Sequence, residues 1–156
     1  MSADTAVNIA VERADQPDVV RLIDALDAYQ KPLYPAASHH GIDIQALMRP
    51  NVLFAVARIN TGAAIGCGAV VIEPEYGELK RMFVLPAHRG NGVARALLVF
   101  LEQQARAKGC ALFALETGIR QPEALALYER AGYVRCDPFG NYTLDPNSVF
   151  MQKPCR

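Results

Sequence analysis

The chain has 156 residues, 51% of them hydrophobic, with 16 Lys or Arg set against 16 Asp or Glu. That length suits one domain with a full apolar core. The even charge balance supplies no overall field for nucleic acid or an anionic membrane, and no apolar run is long enough to span a bilayer.

Val7–Glu12 alternates weakly and reads as a first strand. Asp15 is placed to cap a helix over Gln16–Tyr29, whose Val19, Leu22, Ile23 and Leu26 form one apolar stripe at helical spacing. Lys31–His40, rich in Pro, Tyr and His, reads as a loop, and a short helix over Asp43–Met48 ends before Pro50. Val52–Arg58 and Ala64–Glu73 read as strands joined by the turn residues Asn60-Thr61-Gly62. After a turn over Pro74–Gly77, Glu78–Leu85 is the next strand. The main helix spans Gly92–Lys108, with Val93, Leu97, Phe100 and Leu101 inward and Gly109 as its stop. Ala111–Thr117 is a strand, and Gln121–Ala131 is a helix stopped at Gly132. Tyr133–Cys136 and Ser148–Lys153 complete a sheet. Antiparallel strands followed by a strand–helix–strand unit predict an α/β fold, a mixed and mostly antiparallel sheet flanked by helices, in a single domain over residues 1–156.

The segment with most chemical content is Arg89-Gly90-Asn91-Gly92-Val93-Ala94, between a strand and the N-terminus of the main helix. Helix N-termini carry backbone N–H groups without intrahelical partners and the positive end of the helix dipole, so glycine-rich entries to them bind phosphate. Arg89 adds a forked cationic donor. Neither G-x-x-x-x-G-K-[ST] nor the dinucleotide fingerprint with its downstream acid is present. Arg89, Gly92 and Ala94 instead occupy the fixed positions of Arg-x-x-Gly-x-Gly/Ala, which resembles the coenzyme A pyrophosphate loop of the GNAT family of N-acetyltransferases. Leu127-Tyr128-Glu129-Arg130-Ala131-Gly132-Tyr133 is similar to that family's later motif, a helix ending in Leu-Tyr-x-x-x-Gly before an aromatic. The two motifs stand in the family's order and spacing over residues 78–133.

The resemblance implies an acetyl-coenzyme A-dependent N-acetyltransferase that passes acetyl to a primary amine of a small molecule or peptide by direct attack in a ternary complex, with no metal. It implies that Arg89 and the backbone of Gly90, Asn91, Gly92, Val93 and Ala94 hold the pyrophosphate, and that Met82 and Val84 offer backbone hydrogen bonds to the pantetheine arm. It places Tyr128 near the coenzyme sulfur. A phenol, with an ordinary pKa of about 10, is protonated at neutral pH and can donate to a developing thiolate. Glu78, opening the strand that leads into the loop, is the candidate base, and Glu116 on the neighbouring strand is its rival. A carboxylate near its ordinary pKa of about 4.3 takes a proton from an ammonium poorly, so burial or a water chain must assist. Gln121 stands where many relatives carry an Asn that contacts the coenzyme; it is longer and precedes Pro122, but keeps the amide.

His39 and His40 lie in a loop that often lines the acceptor side in this family, and without a spaced third ligand they read as exposed histidines rather than a metal site. His88 reads as a solvent-facing neighbour of the coenzyme. Pro138-Phe139-Gly140-Asn141-Tyr142 divides evenly between an aromatic edge of the acceptor pocket and a connection packed for stability. Met1-Ser2-Ala3-Asp4 lacks a charged-then-apolar secretion signal, and Cys67, Cys110, Cys136 and Cys155 show no C-x-x-C spacing. Free thiols in a reducing cytoplasm are the plain expectation. A non-catalytic acyl-coenzyme A-binding regulatory protein of the same fold is the alternative to an enzyme. The tyrosine, the carboxylate and the loop together favour catalysis. Monomer and homodimer both stay open.

Overall fold

A computed structural model describes residues 6–38 and 42–154. The strands are β1 (Asn8–Val11), β2 (Val52–Arg58), β3 (Ala64–Ile72), β4 (Gly77–Val84), β5 (Leu112–Gly118), β6 (Val134–Arg135) and β7 (Ser148–Pro154). The helices are α1 (Pro17–Gln30), α2 (Ile44–Leu47), α3 (Val93–Ala107) and α4 (Pro122–Arg130). The strands form one sheet in the order β1-β2-β3-β4-β5-β7-β6. Neighbours are antiparallel except β4 and β5, which run parallel. This is the mixed, mostly antiparallel α/β architecture that the order of the sequence elements implies.

β2 and β3 are almost continuously apolar because helices cover both faces of the sheet. On one face Leu53, Ala55, Ile65 and Val70 pack with Leu97, Leu98 and Leu101 of α3. On the other, Phe54, Val56, Cys67 and Ala69 pack with Val19, Leu22, Ile23 and Leu26 of α1. The expected apolar stripe of α1 is therefore its buried face, but its cap differs. Gln16 is the N-cap, makes no side-chain capping bond, and is followed by Pro17. Asp15 is instead drawn into a paired contact with Arg13, at 3.0 and 2.9 Å. The start of α1 is fastened by Arg58, whose guanidinium reaches Glu12 at 2.9 Å and Asp18 at 2.7 Å. The hydrogen bonds from Arg58 hold both carboxyls below their usual range.

Two irregularities in the middle of the sheet shape the ground on which the site is built. β4 pairs with β5 only through Gly77, Glu78 and Leu79, opposite Phe113, Ala114 and Leu115. Beyond Leu79 the two strands part. In the same stretch β4 carries a bulge against β3: Lys80 pairs with Ala69 and Phe83 with Cys67, so Arg81 and Met82 together face Gly68. Arg81 takes a positive φ of 58°, alone among the described non-glycine residues. The Met82 thioether lies against Gly68 on the α3 face, while Arg81 reaches Asp27 of α1 on the opposite face.

The strand expected over Tyr133–Cys136 is shorter, reduced to Val134–Arg135. Tyr133 leaves the strand and turns into the core, where it is 2% exposed. There its hydroxyl donates to Glu102 of α3 at 2.8 Å. Glu102 is itself buried, and Lys153 of β7 donates to its other oxygen at 3.0 Å, with Arg106 at 3.5 Å. This buried carboxylate joins α3, β7 and the end of α4. Tyr133→Phe removes one of its donors without changing shape and should cost about 1–3 kcal/mol of stability. Urea denaturation measures it; a shift inside experimental error would show that Lys153 and Arg106 satisfy Glu102 by themselves.

Candidate active site

Where β4 and β5 part, two clefts meet. One, of about 680 Å³, runs along the start of α3 and is lined by Arg89, Gly90, Gly92, Val93 and Ala94 together with Met82 and Val84. The other, of about 650 Å³, opens on the α1 side between Lys80, Arg81, Tyr34 and Glu116. Leu26, Met82, Gln121, Ala124 and Tyr128 line both.

Gly92, with φ of 79°, caps α3 in the left-handed conformation, and Gly90 has φ of 85°. A Cβ at either would meet nothing within 4 Å, so glycine is needed for backbone shape rather than for space. The turn leaves the first-turn N–H groups of α3 without intrahelical partners at the cleft wall. Asn91 is absent from that wall. Arg89 is more constrained than a simple phosphate fork. Its Nε donates to the Val84 carbonyl at 2.9 Å, and its guanidinium carbon lies 5.5 Å from the ring centres of both Tyr29 and Phe83. It thereby ties the loop to α1 and β4 while lining the cleft, and it engages the carbonyl of Val84. The backbone of β4 past Leu79 lacks a β5 partner.

Tyr128 lies at the junction of the clefts. It is 6% exposed, with its ring edge-on to Tyr133 at 5.8 Å. Among the described residues its hydroxyl has no hydrogen-bond partner. Burial, and after it the charge of Glu116, pushes its pKa well above the ordinary phenol value, so the proton is held throughout the neutral range. Gln121 lines both clefts, but its side-chain oxygen accepts from Tyr34 at 3.2 Å. The Tyr34 oxygen also accepts from the Arg120 N–H at 3.1 Å. Tyr34 is seated directly on Gly118, where any Cβ would collide with its ring. Asn147 donates to Ser38 at 3.2 Å, so the segment after α1 is fastened across the α1-side cleft at two points.

The two carboxylates weighed as bases occupy different surroundings. Leu79 and Leu115 face α3, so alternation sends Glu78, Lys80 and Glu116 to the opposite face. Glu78 is buried and lines neither cleft. It accepts from the Tyr142 hydroxyl and pairs with Lys80 at 3.3 Å, and Lys80 in turn reaches the Tyr142 oxygen at 2.8 Å. Burial first, and then the bond to Glu78, raises the Tyr142 pKa far above its usual value. Phe139 stacks edge-on with Tyr76, Tyr142 and Phe150 at 5.3, 5.1 and 6.0 Å. The 138–142 segment is thus an aromatic roof over Glu78. Glu116, which accepts from Ser148 at 2.7 Å, does line the α1-side cleft.

His88 borders the cleft along α3, whereas His39, His40 and Cys155 lie outside the described residues. Cys67, Cys110 and Cys136 are free thiols. No group of His, Cys, Asp or Glu suited to a metal occurs among the described residues, and none of their helices is long and apolar enough to cross a membrane. Sequence reasoning missed Tyr34, Asp27 and the placement of Arg81. Adjacent Lys80 and Arg81 would alternate in a regular strand, and only the bulge sends both to one cleft.

The chain matches the Acetyltransferase (GNAT) family over residues 19–133. It is 48% identical over 150 residues to an IAA acetyltransferase of Azospirillum brasilense, covering 95% of this chain and 97% of that protein. It is 32% identical over 150 residues to the uncharacterized N-acetyltransferase YsnE of Bacillus subtilis, covering 94% and 99%. A crystal structure from Klebsiella pneumoniae, provisionally described as an acyl-CoA N-acyltransferase, superposes with a TM-score of 0.82 at 38% identity, covering 96% of this chain and 98% of that one. The PaiA N-acetyltransferase of Thermoplasma acidophilum, solved in complex with coenzyme A, shares the fold at 16% identity with a TM-score of 0.73, covering 96% and 99%. With the phosphate-type loop, the parted strands and the tyrosine between two clefts, these matches establish that the chain is an acyltransferase belonging to the GNAT acetyltransferase family.

Proposed function

We propose that the protein transfers the acetyl group of acetyl-coenzyme A to a primary amine of a small molecule or peptide, both substrates being bound at once. The observation that carries this reading is Tyr128, a buried phenol without a hydrogen-bond partner among the described residues, on the wall that both clefts share. The name of the Azospirillum brasilense relative and the coenzyme A in the Thermoplasma acidophilum structure support the same donor chemistry. In this reading the pyrophosphate rests on the backbone of Gly90–Ala94, beside Arg89. The pantetheine arm follows the β4 backbone that lacks a β5 partner near Met82 and Val84, where Arg89 holds the Val84 carbonyl, as an added strand would. The thioester then reaches Tyr128, and the amine enters from the α1 side.

The amine nitrogen must first lose a proton. Of the two glutamates, Glu116 is the one that lines the acceptor cleft, and we assign it this step, directly or through water. Glu78 supports the site from beneath Lys80. The neutral nitrogen attacks the thioester carbonyl carbon, the C–N bond forms, and the C–S bond breaks as the adduct collapses. The Tyr128 hydroxyl gives its proton to the departing sulfur and receives the second proton of the nitrogen. Its raised pKa makes it a poor free acid but a dependable donor, so its contribution is to stabilise charge as it develops on sulfur.

Three variants test this reading. Gly92→Asp puts a side chain and a negative charge against the pyrophosphate, so calorimetric titration of the folded variant with acetyl-coenzyme A should show affinity lost. Unchanged affinity would remove the loop from the site. Tyr128→Phe should lower kcat by a factor on the order of 10 to 1,000 with little change in coenzyme affinity. Equal kcat in the two proteins would reduce Tyr128 to packing. Glu116→Gln should flatten the acidic limb of the kcat/KM profile and regain rate as pH rises, at saturating coenzyme, because the free amine is then already neutral. Glu78→Gln should leave that limb in place; if the limb vanishes there and persists in Glu116→Gln, the base is Glu78.

A further inference from the structure

The charges that the sheet contributes to the acceptor cleft are sorted by strand, while Asp27, Lys31 and Asp43 add charges to its lining from outside the sheet. On β4 stand Lys80 and Arg81, both lining the cleft, with side chains only 14% and 10% exposed. Across the gap, on β5, stands Glu116. A regular strand would have sent Lys80 and Arg81 to opposite faces. The bulge brings them together, at the expense of a left-handed backbone at Arg81 that a side-chain-bearing residue adopts unwillingly. Both cations are held rather than loose. Lys80 is braced from below by Glu78 and Tyr142. Arg81 donates through Nε to the Ile42 carbonyl at 3.0 Å and through Nη1 to Asp27, and its other terminal nitrogen has no partner among the described residues.

An acceptor must suit that arrangement. A purely apolar amine would press hydrocarbon against two half-desolvated cations, and a polycation would meet like charge at β4. A molecule with its own separated charges matches both walls, and the guanidinium fork and ammonium point charge suit a carboxylate. Given acetyl transfer as read above, we propose that the acceptor is an amino carboxylate, an amine carrying a carboxylate a few bonds away as in an amino acid, with the carboxylate on Lys80 and Arg81 and the amine facing Glu116 and the thioester. Arg81 and Lys80 are then specificity-determining residues, and Glu78 and Asp27 position them.

The experiment uses matched sets of amines in a thiol-release assay with acetyl-coenzyme A: each amino acid, its amide and the amine lacking the carboxyl group. Amino amides are weaker bases than the parent acids and present more neutral nitrogen at pH 7, so chemistry alone favours the amides. The acids should nevertheless win in kcat/KM by about 10- to 100-fold, the worth of a charge-assisted contact. Lys80→Met should draw that ratio toward one, and Lys80→Arg should restore part of it. Amides or decarboxylated amines that match the acids in the wild type overturn the proposal while leaving acetyl transfer intact. A ratio that survives in a folded Lys80→Met protein overturns it equally. If that variant does not fold, the wild-type ratio decides. Failure of every amine, with coenzyme binding still seen by calorimetry, overturns the acetyl-transfer reading and this proposal with it.

Discussion

Pairing between β4 and β5 stops after Leu79 and Leu115, while β3 still holds β4 and β7 still holds β5 on their outer sides. The gap is therefore a fixed opening in the middle of a continuous sheet rather than a frayed edge. Backbone groups that would have bonded across it must find other partners, because buried peptide groups are seldom left unpaired. The parting of the strands is also where the cleft along α3 and the α1-side cleft meet. The start of α3, the entry to α4 and the segment after α1 all converge on this opening.

The supports around the opening are built from interlocking side chains. Arg89 lies between Tyr29 and Phe83 and bonds to Val84, so the glycine-rich turn is fixed to α1 and β4 as well as to its own helix. Tyr34 reaches from the segment after α1 to a bare glycine on β5 and bonds at Gln121, which lines both clefts. The two clefts thus share part of their walls. The Tyr34–Gln121 bond thereby links the α1-side cleft directly to the cleft along α3.

Charge burial follows the same logic. Lys80, Arg81, Glu78 and Glu102 are all largely withdrawn from water, and each has counter-charges or hydroxyls within reach. Unpaired, any of them would be costly. Glu102 sits between α3 and β7 and serves cohesion. Glu78 sits under an aromatic roof and braces a lysine at the cleft floor. Two buried glutamates of similar solvent exposure thus do different work, decided by what lies beyond their partners.

Much of this was legible from the residues alone. The helical stripe Val19-Leu22-Ile23-Leu26, the strands at 52–58 and 64–72, and the glycine entry to α3 follow from local spacing and backbone preference, which need no tertiary contact to be read. The two motifs also sufficed to identify the family. What local rules could not supply is where side chains go when regularity breaks. A strand read by alternation parts Lys80 from Arg81; the bulge against Gly68 unites them. Asp15 looked like a cap, but Arg13 beside it competed for the same carboxylate. Sequence puts Glu78, which opens the strand leading into the loop, ahead of Glu116 as the base, yet each is a lone acid on its strand and local rules do not show what covers it. Only packing of residues 138–142, far along the chain, roofs one and leaves the other at the cleft. Sequence determined which elements form and which family they belong to, because those depend on neighbours in the chain; tertiary structure decided which of the two glutamates and which cations of β4 line the α1-side cleft, because that depends on neighbours in space.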